Sequence, residues 1–308
     1  MLDSIAKSML FKVADLGEVP TAGAFNIRLN GQSAARSSSP NVSIIPKTDK
    51  PGINIIIKPG TKETIHIPVV ISESGVKETV YNDFIIGEDC DLTIMAGCGI
   101  HNCGDEDSAH DGIHSFHVGK NAKVKYIERH YGEGEGRGKR LMNPTTIVHL
   151  CEGASVEMEN TQISGVDDTT RVTKATLDAG ASLVVHEKVK TTGDQRAISD
   201  FVADLNGADS HCDIVSRTVS CDRSYQKFVS TLNGNAPCTG HTECDSILMD
   251  DARVLACPQL SASCVDASLI HEAAIGKIAG EQLIKLMTLG LTEQEAEAQI
   301  INGFLQQG

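Results

Sequence analysis

The C-terminal third of the sequence holds residues that could bind a metal–sulfur cluster. Cys244 opens a strand-like run, and the pair His271–Glu272 follows 27 residues later, an interval that recurs upstream as a repeat spacing. Thiolate is the preferred ligand of such clusters, whereas imidazole and carboxylate bind more weakly and can release them. The set therefore suits a site that builds a cluster and hands it over, with Cys257 and Cys264 as secondary candidates. A buried thiol beside a carboxylate at a helix start explains the same residues without a metal.

A second group of metal-ligand types lies in the segment 98–117, which reads CGIHNCGDEDSAHDGIHSFH. Cys98, His101, Cys103 and His114 have side chains that suit zinc or iron, but their spacing matches no closed structural site. In a strand, His114 and His117 would point to opposite faces. Polar turns and strand packing are the alternative interpretation of this segment.

Composition excludes several classes of function. The formal net charge of −14 over 308 residues argues against a nucleic-acid partner, which requires clustered Lys and Arg. Charged residues interrupt the N-terminal apolar residues, and no apolar run reaches the roughly 20 residues of a membrane helix, so we expect a cytoplasmic protein with no membrane partner. Ten cysteines in such a chain favour free thiols or metal ligands over disulfides.

A weak internal repeat suggests how distant ligands meet. Small residues precede alternating apolar positions at intervals of 32, 32, 27, 27 and 44 residues, at Cys90, Ala122, Ala154, Ala181, Ala208 and Ala252. Period-2 alternation broken by turns at this spacing predicts stacked β-coils, that is, a solenoid. The last interval would require an inserted hairpin. An ordinary β-sandwich is the alternative fold.

The flanking segments differ from this core. Residues 1–16 predict a short amphipathic helix with Leu2, Ile5, Met9 and Val13 on one side. A loop-rich lead-in is expected up to residue 50, the β-core over 51–268, and a helical segment over 269–308.

The helical segment is predicted to form a hairpin of two helices. The first covers 273–289 and ends at Gly290, and the second starts with a capping box made by Thr292 and Glu295. This hairpin is expected to cap one end of the scaffold, to bind a partner, or both. The glycine-rich segment 131–140 fails the phosphate-loop pattern, so any ATP use would come from a partner.

The run HEAAIGKIAGEQLIKLMTLGLTEQEAEAQIINGF, from His271 to Phe304, resembles the C-terminal signature of the SufB/SufD family of iron–sulfur cluster assembly scaffolds. The upstream runs ECDSILMDDARV and HDGIHSFHVGKNAKVKYIERHYGEGEG resemble SufB-type core sequence, so that the resemblance covers roughly residues 80–305. The chain looks like the compact form found in minimal systems that have one scaffold protein and one ATPase.

The resemblance implies a mainly β fold, a right-handed parallel β-helix followed by a helical segment. It implies a scaffold that is not itself an enzyme and that holds a transient iron–sulfur cluster at a homodimer interface. A SufC-like ABC ATPase would dock on the helical segment, for which the candidate residues are Gln282, Lys285, Leu286 and Leu289. A sulfur donor and cluster-acceptor proteins are further partners. Cys244 matches the SufB thiol, Glu272 the SufB glutamate and His271 the SufD histidine.

The segment between Cys244 and His271 is one residue shorter than in SufB-type sequences, and Cys257 and Cys264 match no known ligand of the family. These departures leave the ligand set open. Two alternatives remain at this point. One is a metal-free structural partner of the ATPase. The other is a β-helix carbohydrate-active enzyme, which the low aromatic content of 4% disfavours.

Overall fold

The computed structural model describes residues 3–306 as a β-solenoid preceded by one helix and followed by two. From the fifth strand onward, consecutive strands alternate between two sheets, except that β10 and β11 both lie in the second sheet, and each passage through the two sheets completes one coil. Strands of neighbouring coils pair in parallel. The predicted β-helix is thereby confirmed, and the β-sandwich alternative is wrong. Within the described residues, none of the helices combines the length and apolar character of a membrane span.

The first sheet holds, in spatial order, β2 (Gln32–Ser37), β1 (Ala24–Leu29), β5 (Lys62–Ile71), β7 (Asp91–His101), β9 (Lys123–Glu133), β12 (Ser155–Ser164), β14 (Ser182–Thr191), β16 (Ser210–Ser220), β18 (Cys238–Leu248) and β20 (Ala267–Gly276). The second sheet holds β19 (Arg253–Ala262), β17 (Tyr225–Gly234), β15 (Arg196–Leu205), β13 (Asp168–Leu177), β10 (Arg140–Met142), β8 (Ser108–Val118), β6 (Lys77–Ile86), β4 (Gly52–Ile57) and β3 (Val42–Pro46). The strand β11 (Thr145–Leu150) pairs with both β8 and β13.

Period-2 alternation places every second side chain inside the solenoid, where equivalent residues of successive coils stack. Equivalent residues also stack on the outer face, where Lys123 is in register with Asp91 and Ser155, each 32 residues away along the chain. On the inner face, Tyr126 is in register with Ile94 and Met158, and all three are buried. Each coil covers the apolar surface of the next, which is why a single coil would not be stable alone.

Small residues occupy the corners, as the repeat predicted. Ala122, Ala154 and Ala181 are fully buried, and the Ala122 amide donates to the Gly119 carbonyl at 3.1 Å across the turn. The predicted continuation of these corners at Ala208 and Ala252 is wrong, however. The next corners are Ser210 and Cys238, since Ala208 lies within the turn between strands.

No hairpin is inserted after residue 208, because β17 and β18 continue the coils at the same spacing. Ala252 directly precedes β19, a strand of the second sheet, and does not continue the ladder of corners in the first.

The N-terminal region is more ordered than predicted. The expected loop-rich lead-in contains β1, β2 and β3, and the antiparallel pairs β1–β2 and β3–β4 close the first end of the solenoid. The helix α1 (Ser4–Ala14) is capped by the Asp3 carboxylate, which accepts from the Ala6 amide at 2.7 Å.

This first helix packs on the outer face of the first sheet. Met9 and Val13 are buried as predicted, whereas Ile5 is half-exposed and Leu2 lies outside the described residues. Gly97 of β7 makes the close approach possible, since a Cβ atom there would lie 2.6 Å from the Val13 carbonyl oxygen.

The C-terminal region keeps its strand pattern longer than predicted. The strand β20 runs to Gly276, past the expected boundary at 268, and α2 (Gly280–Thr288) begins seven residues later than the predicted start at 273. The paired backbone of β18 outweighs the helix propensity of Ala273 and Ala274. The capping box of α3 (Glu293–Gln306) is confirmed, with the Glu295 carboxylate accepting from the Thr292 amide at 2.8 Å. Gly290 ends α2 with a φ of +98°.

One part of the solenoid interior is charged. Arg171 and Glu128 form a buried ion pair, and Arg171 also lies 3.7 Å from a Glu187 oxygen. Burial alone would raise the pKa of Glu128, but the charge of Arg171 outweighs it and holds that pKa well below its usual range. The stability that the pair contributes is therefore present above the ordinary glutamate pKa and is lost as the pH falls through the depressed value.

Replacing Arg171 by leucine is expected to lower the free energy of unfolding by about 3–5 kcal/mol, because Glu128 is left as an unpaired buried charge. The matched control is Arg196→Leu on the next strand, which breaks an exposed ion pair to Asp168 and should cost less than about 1 kcal/mol. Urea unfolding followed by circular dichroism measures both values. Equal losses in the two variants would contradict this account of the interior.

Candidate functional site

Cys244 lies in the middle of β18, one strand in from the end of the first sheet. Its side chain is fully buried and faces the interior, with the Sγ atom 3.9 Å from Ser246 Oγ. A small internal cavity beside it is also lined by Glu187, Ser216 and Gln226. Burial raises the pKa of the Cys244 thiol to about 11. In this arrangement the thiol is protonated at neutral pH and is a poor nucleophile.

His271 lies in β20, the terminal strand of the first sheet, in register with Thr242. Thr242 is buried, so the register places the histidine on the inner face as well. The His271 Nδ1 atom and the Thr242 Oγ1 atom are both buried and have no hydrogen-bond partner among the described residues. Unpartnered buried polar atoms are rare and call for a ligand, a water or a movement.

Glu272 points to the opposite side of the sheet. It is in register with Glu243, and its side chain is 69% exposed. One carboxylate or imidazole atom from each of His241, Glu243 and Glu272 lies within 4.8 Å of the other two. The outer His241 ring is oriented by Asp213, whose carboxylate lies 2.8 Å from Nδ1. A carboxylate behind a histidine is the usual support of a metal-binding imidazole.

The structure therefore divides the predicted ligand set between two faces of one sheet. Cys244 and His271 lie on the inner face of the last two strands, whereas Glu272 lies on the outer face. Neither His271 nor Glu272 lies at a helix start, so the alternative of a carboxylate that stabilises a helix dipole is wrong. Sequence reasoning missed His241 and Glu243. Both residues precede Glu272 in the sequence by about the length of one coil, and this spacing was the signal that could have identified them.

The secondary candidates lie outside this arrangement. Cys257 of β19 is in register with Val229 and alternates with the inward-facing Ala256, so it belongs to the outer face of the second sheet. Cys264 lies in the turn between β19 and β20. Neither thiol shares the inner face with Cys244.

The second predicted group is likewise divided. Cys98 and His114 are buried in the interior, where burial raises the pKa of the thiol and lowers that of the imidazole to about 4. His101 and Cys103 lie at a corner outside, with His101 Nε2 3.1 Å from the Cys103 Sγ atom. His101 Nδ1 is 3.1 Å from a Glu133 oxygen. These four residues do not form one site in this conformation.

The helical hairpin packs beside the solenoid and leaves its terminal coil uncovered. Gln282, Lys285 and Leu286 of α2 line a groove shared with α3, whose opposite wall includes Ile300 and Phe304. No residue of α2 is buried. Leu289, the remaining predicted docking residue, is 81% exposed in the turn after α2.

Comparisons with known proteins show the same family along most of the chain. A family model described as "SUF system FeS cluster assembly, SufBD core domain" matches residues 72–304. An iron–sulfur cluster assembly SufBD family protein of Methanocaldococcus jannaschii is 30% identical over 256 residues, covering 82% of this chain and 79% of its own length. A relative from Pyrococcus horikoshii is 27% identical over 286 residues, covering 87% of this chain and 82% of its own length.

A further relative, from Methanothermobacter thermautotrophicus, carries the same description. It is 31% identical over 261 residues, which are 82% of this chain but 62% of the relative. The chain thus spans about three fifths of the length of that protein.

The burial of Cys244 predicts slow alkylation. With a pKa of about 11, about one thiol in a thousand is ionised at pH 8, and the thiolate is the reacting form. We expect Cys244 to react with iodoacetamide at least about 100-fold more slowly than the exposed Cys103, and to react at an ordinary rate in urea. Peptide mass spectrometry of timed samples measures both rates. Equal labelling of the two thiols in the folded protein would contradict the buried position.

Proposed function

Because the chain belongs to the SufBD family of iron–sulfur cluster assembly proteins, we propose that it is a scaffold subunit on which a nascent cluster is built. The observation that carries the proposal is the position of Cys244 and His271. They lie on the inner face of the last two strands of the first sheet, where the solenoid ends. Family membership favours this role over that of a carbohydrate-active enzyme.

The exposed terminal coil supports assembly at a homodimer interface. Leu260 of β19 and Ile275 of β20 occupy inner-face positions but are 42% and 45% exposed, because no coil among residues 3–306 covers them. In the described part of the chain, the outer edges of β19 and β20 also present backbone groups to which no strand is paired. A second copy of the same end would cover these apolar side chains and complete both sheets.

Cys244 is proposed to accept sulfur and to ligate iron. Its thiolate would attack the outer sulfur of a donor persulfide, whose S–S bond breaks so that the donor leaves as a thiol. The raised pKa of the buried thiol opposes this step in the closed conformation. The proposed reaction therefore requires the terminal coil to move and to expose Cys244 to solvent, which would lower its pKa toward the ordinary range.

His271 and Glu272 are proposed to complete weak coordination of the iron. The unpartnered Nδ1 atom of His271 supports this role, because it has a lone pair or a proton to share and no protein partner in this conformation. Glu272 lies on the outer face with His241 and Glu243, and this group suits a hard or borderline divalent cation. We propose that iron binds first at this outer group and reaches Cys244 when the terminal coil moves.

The helical hairpin is the proposed docking surface of a SufC-like ABC ATPase. The groove lined by Gln282, Lys285 and Leu286 is open, and α2 contributes no residue to the core. Ile247 of β18 also lines this groove, so a partner bound there would contact the strand that carries Cys244. ATP-driven movement of the hairpin would in this way act on the cluster site. A sulfur donor and cluster-acceptor proteins complete the proposed set of partners.

Anaerobic reconstitution with iron and sulfide in the presence of the ATPase tests the scaffold role. We expect the wild type to develop the visible absorption of an iron–sulfur cluster, and Cys244→Ala, His271→Ala and Glu272→Ala to lose most of it. The matched control is Cys212→Ala on the neighbouring strand β16, which removes another fully buried thiol and should retain the cluster.

Two of the following three outcomes would contradict the proposal, and the loss of cluster in the control variant would invalidate the comparison. Full cluster in the three site variants would place the site elsewhere. Loss in the Cys212 variant as well would show that the variants had damaged the fold and not the site. No cluster in the wild type with its ATPase would favour the metal-free structural partner.

A charge on the terminal coil is expected to prevent dimerisation. Leu260→Glu places a carboxylate in the proposed interface and should convert the dimer to a monomer in size-exclusion chromatography with light scattering. Ile163→Glu is the matched control, because Ile163 is 48% exposed on β12 and far from the terminal coil. A thermal melt verifies that both variants fold. A folded Leu260→Glu variant with the wild-type mass would contradict the interface.

A further inference from the structure

The outer face of the second sheet carries a group of metal-ligand side chains outside the proposed cluster site. His117 lies near the end of β8, and His149 lies in register with it on β11. Cys151 follows at the turn after β11, and Asp178 follows β13 at the equivalent place one coil further. These strands belong to the middle of the solenoid, whereas Cys244 lies near its end in the other sheet.

Register stacking explains why the group forms. Residues paired in neighbouring coils lie about 4.8 Å apart, so equivalent side chains on the same face touch. The His117 and His149 Nδ1 atoms are 3.2 Å apart, and their ring centroids are 5.1 Å apart. One ligand atom from each of His117, His149 and Cys151 lies within 4.8 Å of the other two.

The contacts define which nitrogen atoms can bind a cation. The His149 Nε2 atom lies 3.3 Å from a carboxylate oxygen of Asp178, so Nε2 carries the proton and Nδ1 keeps its lone pair. The Cys151 Sγ atom lies 3.8 Å from His117 Nε2. Without a cation, the Cys151 thiol can donate a hydrogen bond to His117 Nε2, His117 Nδ1–H to His149 Nδ1, and His149 Nε2–H to Asp178. A cation would displace the first two of these protons and leave the third in place.

We propose that His117, His149 and Cys151 bind one divalent transition-metal ion of the zinc class, and that Asp178 positions the His149 ring. Metal–nitrogen bonds of 2.0–2.1 Å in tetrahedral geometry place two nitrogen atoms about 3.3 Å apart, close to the 3.2 Å between the two Nδ1 atoms. Two imidazoles and one thiolate suit Zn²⁺, whereas Mg²⁺ and Ca²⁺ require oxygen ligands. The partial exposure of the group leaves a fourth coordination position for water.

Cobalt(II) is the probe that tests this site, because it takes zinc positions and its thiolate complexes absorb in the near ultraviolet. Titration of the metal-free full-length protein with Co²⁺ under anaerobic conditions should give one equivalent with a thiolate-to-metal band. His117→Ala and His149→Ala should weaken binding at least about tenfold, the loss that even an outer-sphere partner produces. Cys151→Ser should abolish the band.

Two controls separate this site from others. Cys221→Ser removes a half-exposed turn thiol whose neighbour is the Met249 sulfur at 3.8 Å, and it should leave the band unchanged. Glu272→Ala removes a ligand of the outer group on the first sheet, which contains no sulfur, and should also leave the band unchanged. The experiment measures no cluster assembly, so its result is independent of the proposed scaffold role.

Asp178→Asn distinguishes a positioning role from a structural one. It should weaken Co²⁺ binding about tenfold while the thiolate band persists at saturation, because Asp178 contacts the metal only through His149. The proposal is overturned if wild-type protein shows no thiolate band with Co²⁺, or if the band survives in Cys151→Ser. It is equally overturned if the His117 and His149 variants bind Co²⁺ with wild-type affinity.

Discussion

In-register stacking of one coil on the next is the constraint on which this structure depends. Parallel pairing fixes the neighbours of every residue, and side chains on one face repeat at about 4.8 Å along the solenoid. Groups that are one coil apart in sequence therefore meet in space. This brings His117 to His149 on one sheet and Glu243 to Glu272 on the other. The chemistry of the surface is thus decided by which side chains the register places opposite one another in neighbouring coils.

The same stacking creates an interior with two unlike parts. One part is apolar and contains Tyr126 and its neighbours, whereas the other contains Arg171, Glu128 and Glu187 in ionic contact. Buried charges are stable where each has its partners, as in the middle of the solenoid. In the last two strands of the first sheet, buried polar atoms of Thr242 and His271 have no hydrogen-bond partner within residues 3–306. Such atoms also occur in earlier coils, at Asn82, Asn160 and Thr173, and the two at Thr242 and His271 are the ones that lie in the proposed cluster site.

Much of the fold could be predicted from residue patterns, because corner residues and alternation directly reflect local geometry. The corners at Ala122, Ala154 and Ala181 were identified, and so was the capping box of α3. The prediction failed where local preference and long-range pairing disagree. Ala273 favours a helix by propensity, yet β18 holds it in a strand.

The sequence named Cys244, His271 and Glu272 as candidates but indicated neither their geometry nor the neighbouring His241 and Glu243. Face assignment depends on the exact register of a strand, and a shift of one residue reverses it. The sequence motifs placed Cys244 and Glu272 together, whereas the structure places them on opposite faces of one sheet. The group of His117, His149 and Cys151 was missed for the same reason, since its members become neighbours only through pairing one coil apart.

The two ends of the solenoid differ in a way that limits how copies can add to one another. At the first end, the antiparallel strands β2 and β3 form the sheet edges, where β2 carries Gln32 and Arg36 and β3 ends at Pro46. A charged side chain or a proline on an edge strand discourages the pairing of a further strand with that edge. The other end is apolar and uncovered. In the proposed dimer, one receptive end gives each molecule a valency of one, so that growth stops at a pair, whereas two receptive ends would allow an unlimited fibre.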